Sequence, residues 1–185
     1  MKNNILNKYL LAKNINTSKK VLEELSKDES DGIRTVIAKN SNTSKKVLES
    51  LSKDTYHKVL FEVASNPNTP PKVLKTLCKN RFTYVCFFIA KNPNTPKKVL
   101  EELSVSHHKI ELLRNLVLNP NTSIKVIEKI YKNKPCSLIT LNFIRHPNAP
   151  DFILKDLLHR HLIKGNYKEE AFKALIKKKG LKLFL

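Results

Sequence analysis

Asn66-Pro67-Asn68-Thr69-Pro70-Pro71-Lys72-Val73-Leu74-Lys75-Thr76-Leu77 decides the fold, because the same phrase returns along the chain. Its first residue recurs at Asn14, Asn40, Asn66, Asn92 and Asn119, and His146 stands in the sixth copy. The spacings are 26, 26, 26, 27 and 27 residues. A fixed period of this size marks one supersecondary unit stacked on copies of itself.

Each phrase reads as the start of a short helix. Thr69 is expected as the N-cap, its hydroxyl accepting from a first-turn amide, and Pro70 as the first helical residue, where a missing N–H costs nothing. Val73, Leu74 and Leu77 then share one apolar face. The other copies supply Val21, Leu22, Leu25; Val47, Leu48, Leu51; Val99, Leu100, Leu103; Val126, Ile127, Ile130; and Ile153, Leu154, Leu157. A second apolar stretch follows each: 33–38, 59–64, 85–90, 112–117 and 139–144. Each suffices for about two helical turns and none alternates like a strand. The expected fold is all-α: a right-handed helical-repeat solenoid of about six repeats, alternating α and short α or 3₁₀ helices, with helical end caps.

The expected organisation is an N-terminal capping half-repeat over 1–11, repeats over 12–158, and a C-terminal capping helix with an apolar tail over 159–185. In the last segment Gly165 breaks the chain, Asn166 with Glu169 resembles a capping box, and Gly180 follows the helix end.

The period is too short for ankyrin, tetratricopeptide or HEAT units, and the leucine-rich strand pattern L-x-x-L-x-L-x-x-N is missing. The phrases at 66–77 and 92–103 resemble the leucine-rich repeat variant family, over roughly residues 12–158. That resemblance implies alternating α and 3₁₀ helices in a right-handed superhelix, and little about activity. One member type carries an N-terminal iron–sulfur module. Here no Cys precedes Cys78 and no C-x₂-C spacing occurs, so that module is not expected. The family's Val-Arg in the second helix survives clearly only as Ile33-Arg34.

Thirty Lys and five Arg face 16 acids, a net charge of +19 over 185 residues. Such a chain suits an anionic partner, although abundant Lys and Asn also follow from an AT-rich coding sequence. The odd number of cysteines (Cys78, Cys86 and Cys136) with no close pair fits a reducing compartment. No secretory signal or apolar span is evident, so a cytoplasmic address and no membrane partner are expected.

The most informative polar feature is Lys20, Lys46, Lys72, Lys98 and Lys125, read at the third helical position, where a capping box would place an acid. Lys19, Lys45 and Lys97 add a second cation one position earlier. In-phase stacking would align them into an edge matching a phosphate backbone. Against that, Glu23, Glu24, Glu49, Glu101, Glu102 and Glu128 could neutralise them from one turn further along the same helices. The repeat-turn residues Asn14, Asn40, Asn66, Asn92, Asn119, Thr17, Thr43, Thr69, Thr95 and Thr122, with the second asparagines Asn16, Asn42, Asn68, Asn94 and Asn121, are read as structural.

Nothing resembles a catalytic constellation, and no phosphate-cradling loop or zinc motif occurs. Among His57, His107, His108, His146, His159 and His161, only the last two with His146 could assemble a metal site, and no second shell is visible. The cysteines read as core residues, and Tyr56, Phe82, Tyr84 and Tyr131 as packing groups able in principle to stack bases. No cofactor, metal or small-molecule substrate is expected, and a monomer is. The reading is a non-enzymatic scaffold for protein–protein interaction. Its alternative is sequence-nonspecific nucleic-acid binding along the lysines. More remote is a DNA-repair-type enzyme on a helical-repeat fold.

Overall fold

The computed structural model describes residues 2–79, 83–106, 109–133, 137–159 and 166–178; the side chains of 2, 3, 83, 106, 137, 138 and 166 are left aside. The described residues form thirteen α-helices and no strand. They are α1 (Lys2–Lys13), α2 (Lys19–Leu25), α3 (Asp31–Lys39), α4 (Lys45–Leu51), α5 (His57–Ser65), α6 (Pro71–Leu77), α7 (Thr83–Lys91), α8 (Lys97–Ser106), α9 (Ile110–Leu118), α10 (Ile124–Asn133), α11 (Ser137–Arg145), α12 (Asp151–His159) and α13 (Asn166–Lys178). No 3₁₀ helix occurs among the described residues: α3, α5, α7, α9 and α11 are α-helices of nine residues each. None of the described helices is long and apolar enough to cross a membrane.

The chain divides into two compact units, Met1–Val99 and Leu100–Leu185, with α8 spanning the division. In the first unit α1, α3, α5 and α7 pack on one another in chain order, and α2, α4 and α6 each pack against the helices that precede and follow them. In the second, α11 packs on α9, α12 and α13, and α12 also packs on α13.

The apolar positions explain the cores. Val47, Leu48 and Leu51 of α4 and Val73, Leu74 and Leu77 of α6 are buried, as are Ile33, Ile37 and Ala38 of α3 and Val59, Leu60, Val63 and Ala64 of α5. Recurrence at every third or fourth position gives each helix a single inward stripe. In the second unit Leu112, Leu116, Ile127, Ile139, Ile153 and Leu154 do the same.

Helix starts correct the sequence reading by one position. Ser18 and Ser44, not the preceding threonines, cap α2 and α4, their hydroxyls accepting from Val21 N at 3.4 Å and Val47 N at 3.3 Å. At α6 the capping position is Pro70, and Pro71 is the first helical residue. The threonine hydroxyls turn backward. Thr17 donates to Leu11 O, Thr43 to Ile37 O, Thr69 to Val63 O, Thr95 to Ile89 O and Thr122 to Leu116 O, at 2.5–2.6 Å. Each thus satisfies a carbonyl left over in the last turn of the helix just ended. Proline after Asn66, Asn92, Asn119 and His146 disfavours helical backbone there, so the helix must stop. The Gly165 break, the Gly180 stop, the tail over 181–185, Cys136, Phe82, His107, His108 and His161 lie outside the described residues, and the capping box rests on the Asn166 side chain, which is also outside.

Candidate functional site

All five first asparagines of the repeat turn use the amide oxygen, and Asn40, Asn66 and Asn92 also use the nitrogen. Oδ1 accepts from the backbone N–H two positions on: Asn14 from Asn16, Asn40 from Asn42, Asn66 from Asn68, Asn92 from Asn94 and Asn119 from Asn121, at 2.8–3.0 Å. Nδ2 reaches into the preceding repeat. Asn40 donates to Ala12 O and Asn14 O, Asn66 to Ala38 O and Asn40 O, and Asn92 to Ala64 O and Asn66 O, at 2.7–3.0 Å. Asn40, Asn66 and Asn92 are buried. Aspartate lacks the donor and glutamine has a longer reach, so neither can replace Asn in both bonds.

The second asparagine adds another inter-repeat bond. Asn42 Nδ2 donates to Thr17 O at 2.8 Å, Asn68 to Ser41 O at 2.5 Å, and Asn94 to Pro67 O. These amides are committed to holding repeats together, not to reading bases.

In the second unit His146 reproduces this geometry with a ring. Its Nδ1 accepts from Asn148 N at 3.0 Å, in the role of Oδ1, and its Nε2 lies 3.2 Å from Asn119 O, in the role of Nδ2. With Nδ1 an acceptor, the proton sits on Nε2 and the imidazole is neutral. Burial holds its pKa below the usual histidine value, the Asn119 carbonyl pulls the other way, and nearby Lys178 lowers it further.

The lysines start successive helices but at the second helical position, not the third. Lys20, Lys46 and Lys72 follow Lys19, Lys45 and Pro71. Lys98 and Lys125 are likewise second in α8 and α10. The third position holds valine in all five, so no capping box can be restored by an acid at the lysine positions. Lys19, Lys20, Lys45, Lys46, Lys72, Lys97 and Lys98 belong to the first unit and are exposed; Lys125 is exposed in the second.

Two of these lysines meet acids across repeats instead of along one helix. Lys46 Nζ lies 2.8 Å from Glu23 Oε1, and Lys72 Nζ 3.7 Å from Glu49 Oε1. The Lys46 bond raises the lysine pKa and lowers that of Glu23. Glu49 stands to Lys72 in the chain as Glu23 stands to Lys46. The residue in the same place before Lys98 is Lys75, so the pattern of compensation reverses there. With lysine side chains more than four-fifths exposed at positions 46 and 72, these pairs are solvated and add little rigidity.

A second row of ion pairs escaped the sequence reading. Lys8 Nζ meets Asp28 Oδ2, and Arg34 Nε meets Asp54 Oδ2, each at 2.7 Å and each between neighbouring repeats. Arg34 also donates to Asp28 O and Glu29 O at 2.8 Å. The cation at 8 returns at 34 and the aspartate at 28 returns at 54, in step with the repeat, and that recurrence was the available signal.

Among the remaining candidates Cys86 and Tyr131 are buried, whereas Tyr84 is 61% exposed. Burial pushes the Cys86 thiol up, away from thiolate chemistry. Tyr131 donates to the Asp156 carboxylate and packs edge-on against Phe143 at 5.2 Å. Tyr56 lies against His57, and Tyr84 against Phe61 and Phe87. His159 Nδ1 lies 2.7 Å from Lys155 O, and no three His, Cys, Asp or Glu side chains converge as metal ligands among the described residues. Comparison with protein-family models, with curated proteins and with solved structures finds no match for this chain.

Proposed function

We propose that the chain is a non-enzymatic helical-repeat scaffold for a macromolecular partner, a right-handed solenoid of the leucine-rich repeat variant kind. The observation that carries this is the inter-repeat asparagine bond, which recurs with the same atoms at Asn40, Asn66 and Asn92. It brings equivalent side chains into phase, and rows of equivalent side chains are what repeat proteins present to a partner. A protein partner is the leading reading. Cross-linking in the host extract, read by mass spectrometry, is expected to give protein cross-links along one row of equivalent positions. Cross-links scattered over unrelated positions would count against it.

A specific observation favours a second reading, a polyanion along the lysine edge. Lys75 and Lys98 stand where the earlier repeats alternate Glu with Lys, so the positive field is least compensated there. Duplex DNA titrated at several salt concentrations separates the two. About five lysine–phosphate contacts give a slope of log affinity against log salt near −4.5. A flat dependence, or affinity unchanged by glutamate at Lys46, Lys72 and Lys98 together, would leave the protein partner alone.

A further inference from the structure

The outer faces of α5 and α7 carry rings where a solvated helix face is ordinarily polar. The core takes Val85, Cys86, Ile89 and Ala90 from α7, and Val59, Leu60, Val63 and Ala64 from α5. The complementary stripe of α7 is Tyr84, Phe87, Phe88 and Lys91. Tyr84 is 61% exposed, and Phe87 and Phe88 are half-buried. Across the repeat boundary Phe61 of α5 meets Phe88 at 5.4 Å and Tyr84 at 6.4 Å between ring centres, and Tyr84 meets Phe87 edge-on at 5.6 Å. Stacking of the repeats does not require these rings: α3 packs on α5 with Thr35 and Val36 in the places that Phe87 and Phe88 hold in α7.

Cations flank the rings. A hollow of about 520 Å³ opens across α1, α3 and α5, with Tyr9, Lys13, Lys39 and Glu62 in its lining. A second, of about 260 Å³, lies against α7 and is lined by Ser65, Phe88, Lys91, Asn92 and Pro93. The period sets the two in line: Lys13, Lys39 and Lys91 hold one place in their helices, and Tyr9, Phe61 and Phe87 another. The three lysines are exposed, and Glu62 is the one acid in either lining. A cation at a helix C-terminus steadies the helix by itself, so the lysines alone select nothing; the rings beside them do.

We propose that this face of the first unit binds single-stranded nucleic acid, its bases stacked on the rings around Tyr84 and its phosphates against Lys39 and Lys91. Two considerations select that occupant. Three lysines against one acid call for an anionic partner. Each nucleotide of a single strand then brings one phosphate and one open π-face, which matches cation and ring set side by side along the repeats. A duplex keeps its bases stacked on one another, and an acidic peptide supplies charge without flat faces in step. The inference goes beyond the scaffold reading and uses none of the lysines that start α2, α4 and α6, so the two stand or fall separately.

Fluorescence anisotropy of the full chain tests it with labelled oligothymidylate of about 12 nucleotides, an abasic strand of the same length, and oligoglutamate of the same charge. Oligothymidylate is expected to bind at least about fivefold more tightly than the abasic strand, which carries the same phosphates, and than oligoglutamate. Tyr84→Ala should weaken oligothymidylate about five- to a hundredfold and leave the abasic strand unchanged, whereas Tyr84→Phe, which keeps the ring, should match the parent. Lys91→Ala should make the salt slope shallower by about 0.7 for both strands. Phe172→Ala, at a 51% exposed position of α13, should change neither. The comparison of strands needs no variant and decides the matter even where a substitution costs helix. Absence of oligothymidylate binding in low salt overturns the proposal. Equal affinity for the abasic strand or for oligoglutamate does so too, and would make the partner a generic polyanion or an acidic protein. So does a Tyr84→Ala variant with parental helix content and parental affinity, or a loss confined to glutamate at Lys46, Lys72 and Lys98, which would assign the strand to the lysine edge.

Discussion

The Asn66 side chain donates to the backbone carbonyl of Asn40 at 3.0 Å, and Asn40 does the same to Asn14 at the same distance. A chain of carboxamides thus runs through the first unit, each amide closing its own turn with the oxygen and, from Asn40 onward, gripping the previous repeat with the nitrogen. The same grip recurs at Asn92, which donates to Ala64 O and Asn66 O.

The backward threonine bond separates two roles at neighbouring residues. Thr43→Val keeps the shape but removes a buried donor to Ile37 O, and is expected to cost about 1–2 kcal/mol in urea unfolding. Ser44→Ala should cost about 0.5–1 kcal/mol through the lost cap of α4. A silent Ser44→Ala would return the capping role to threonine.

Stability should depend on pH through His146. Its folded-state pKa lies below the ordinary value near 6.5, so the unfolded chain takes up the proton first. The stabilisation is complete above about pH 6.5 and is lost as pH falls through that value towards the folded-state pKa. Lys178, Arg145, Glu170, Lys173 and Lys177 line the same hollow, so an NMR titration of the His146 ring is the clean readout. His146→Asn keeps an acceptor and a donor and should remove this component; a ring that titrates at or above the ordinary value would contradict the neutral Nε2–H assignment.

Charge reversal along the edge should not be uniform. Lys46→Glu removes a lysine already answered by Glu23, whereas Lys98→Glu acts where the matching position is Lys75. If the edge takes a polyanion, fluorescence anisotropy with duplex DNA should show the larger loss for Lys98→Glu and a salt slope shallower by about 0.9. Equal losses would mean that local compensation is irrelevant.

Much of this was legible because stacking forces like residues into like places. The Val-Leu-x-x-Leu face located the inward stripe of each first helix, and the period located every turn. The threonine was misplaced by one step because a hydroxyl before a helix can accept forward or donate backward, and Thr-Pro suits both. The Lys46–Glu23 pair was invisible for a different reason. Partners on separate repeats meet only once those repeats are in register, and sequence proximity favoured pairing along one helix.

Register through the asparagines is the claim on which the rest depends, and aspartate tests it most directly. Asn66→Asp keeps the oxygen that accepts from Asn68 but sets a carboxylate against the carbonyls of Ala38 and Asn40. Asn14→Asp keeps the same local turn, at a position whose nitrogen grips no earlier repeat among the described residues. Urea unfolding of both variants should give a loss of about 2–4 kcal/mol for Asn66→Asp. Asn14→Asp should stay within about 0.5 kcal/mol of the parent. Equal losses at both positions would assign the asparagines to the local turn alone and remove the bond that aligns the repeats.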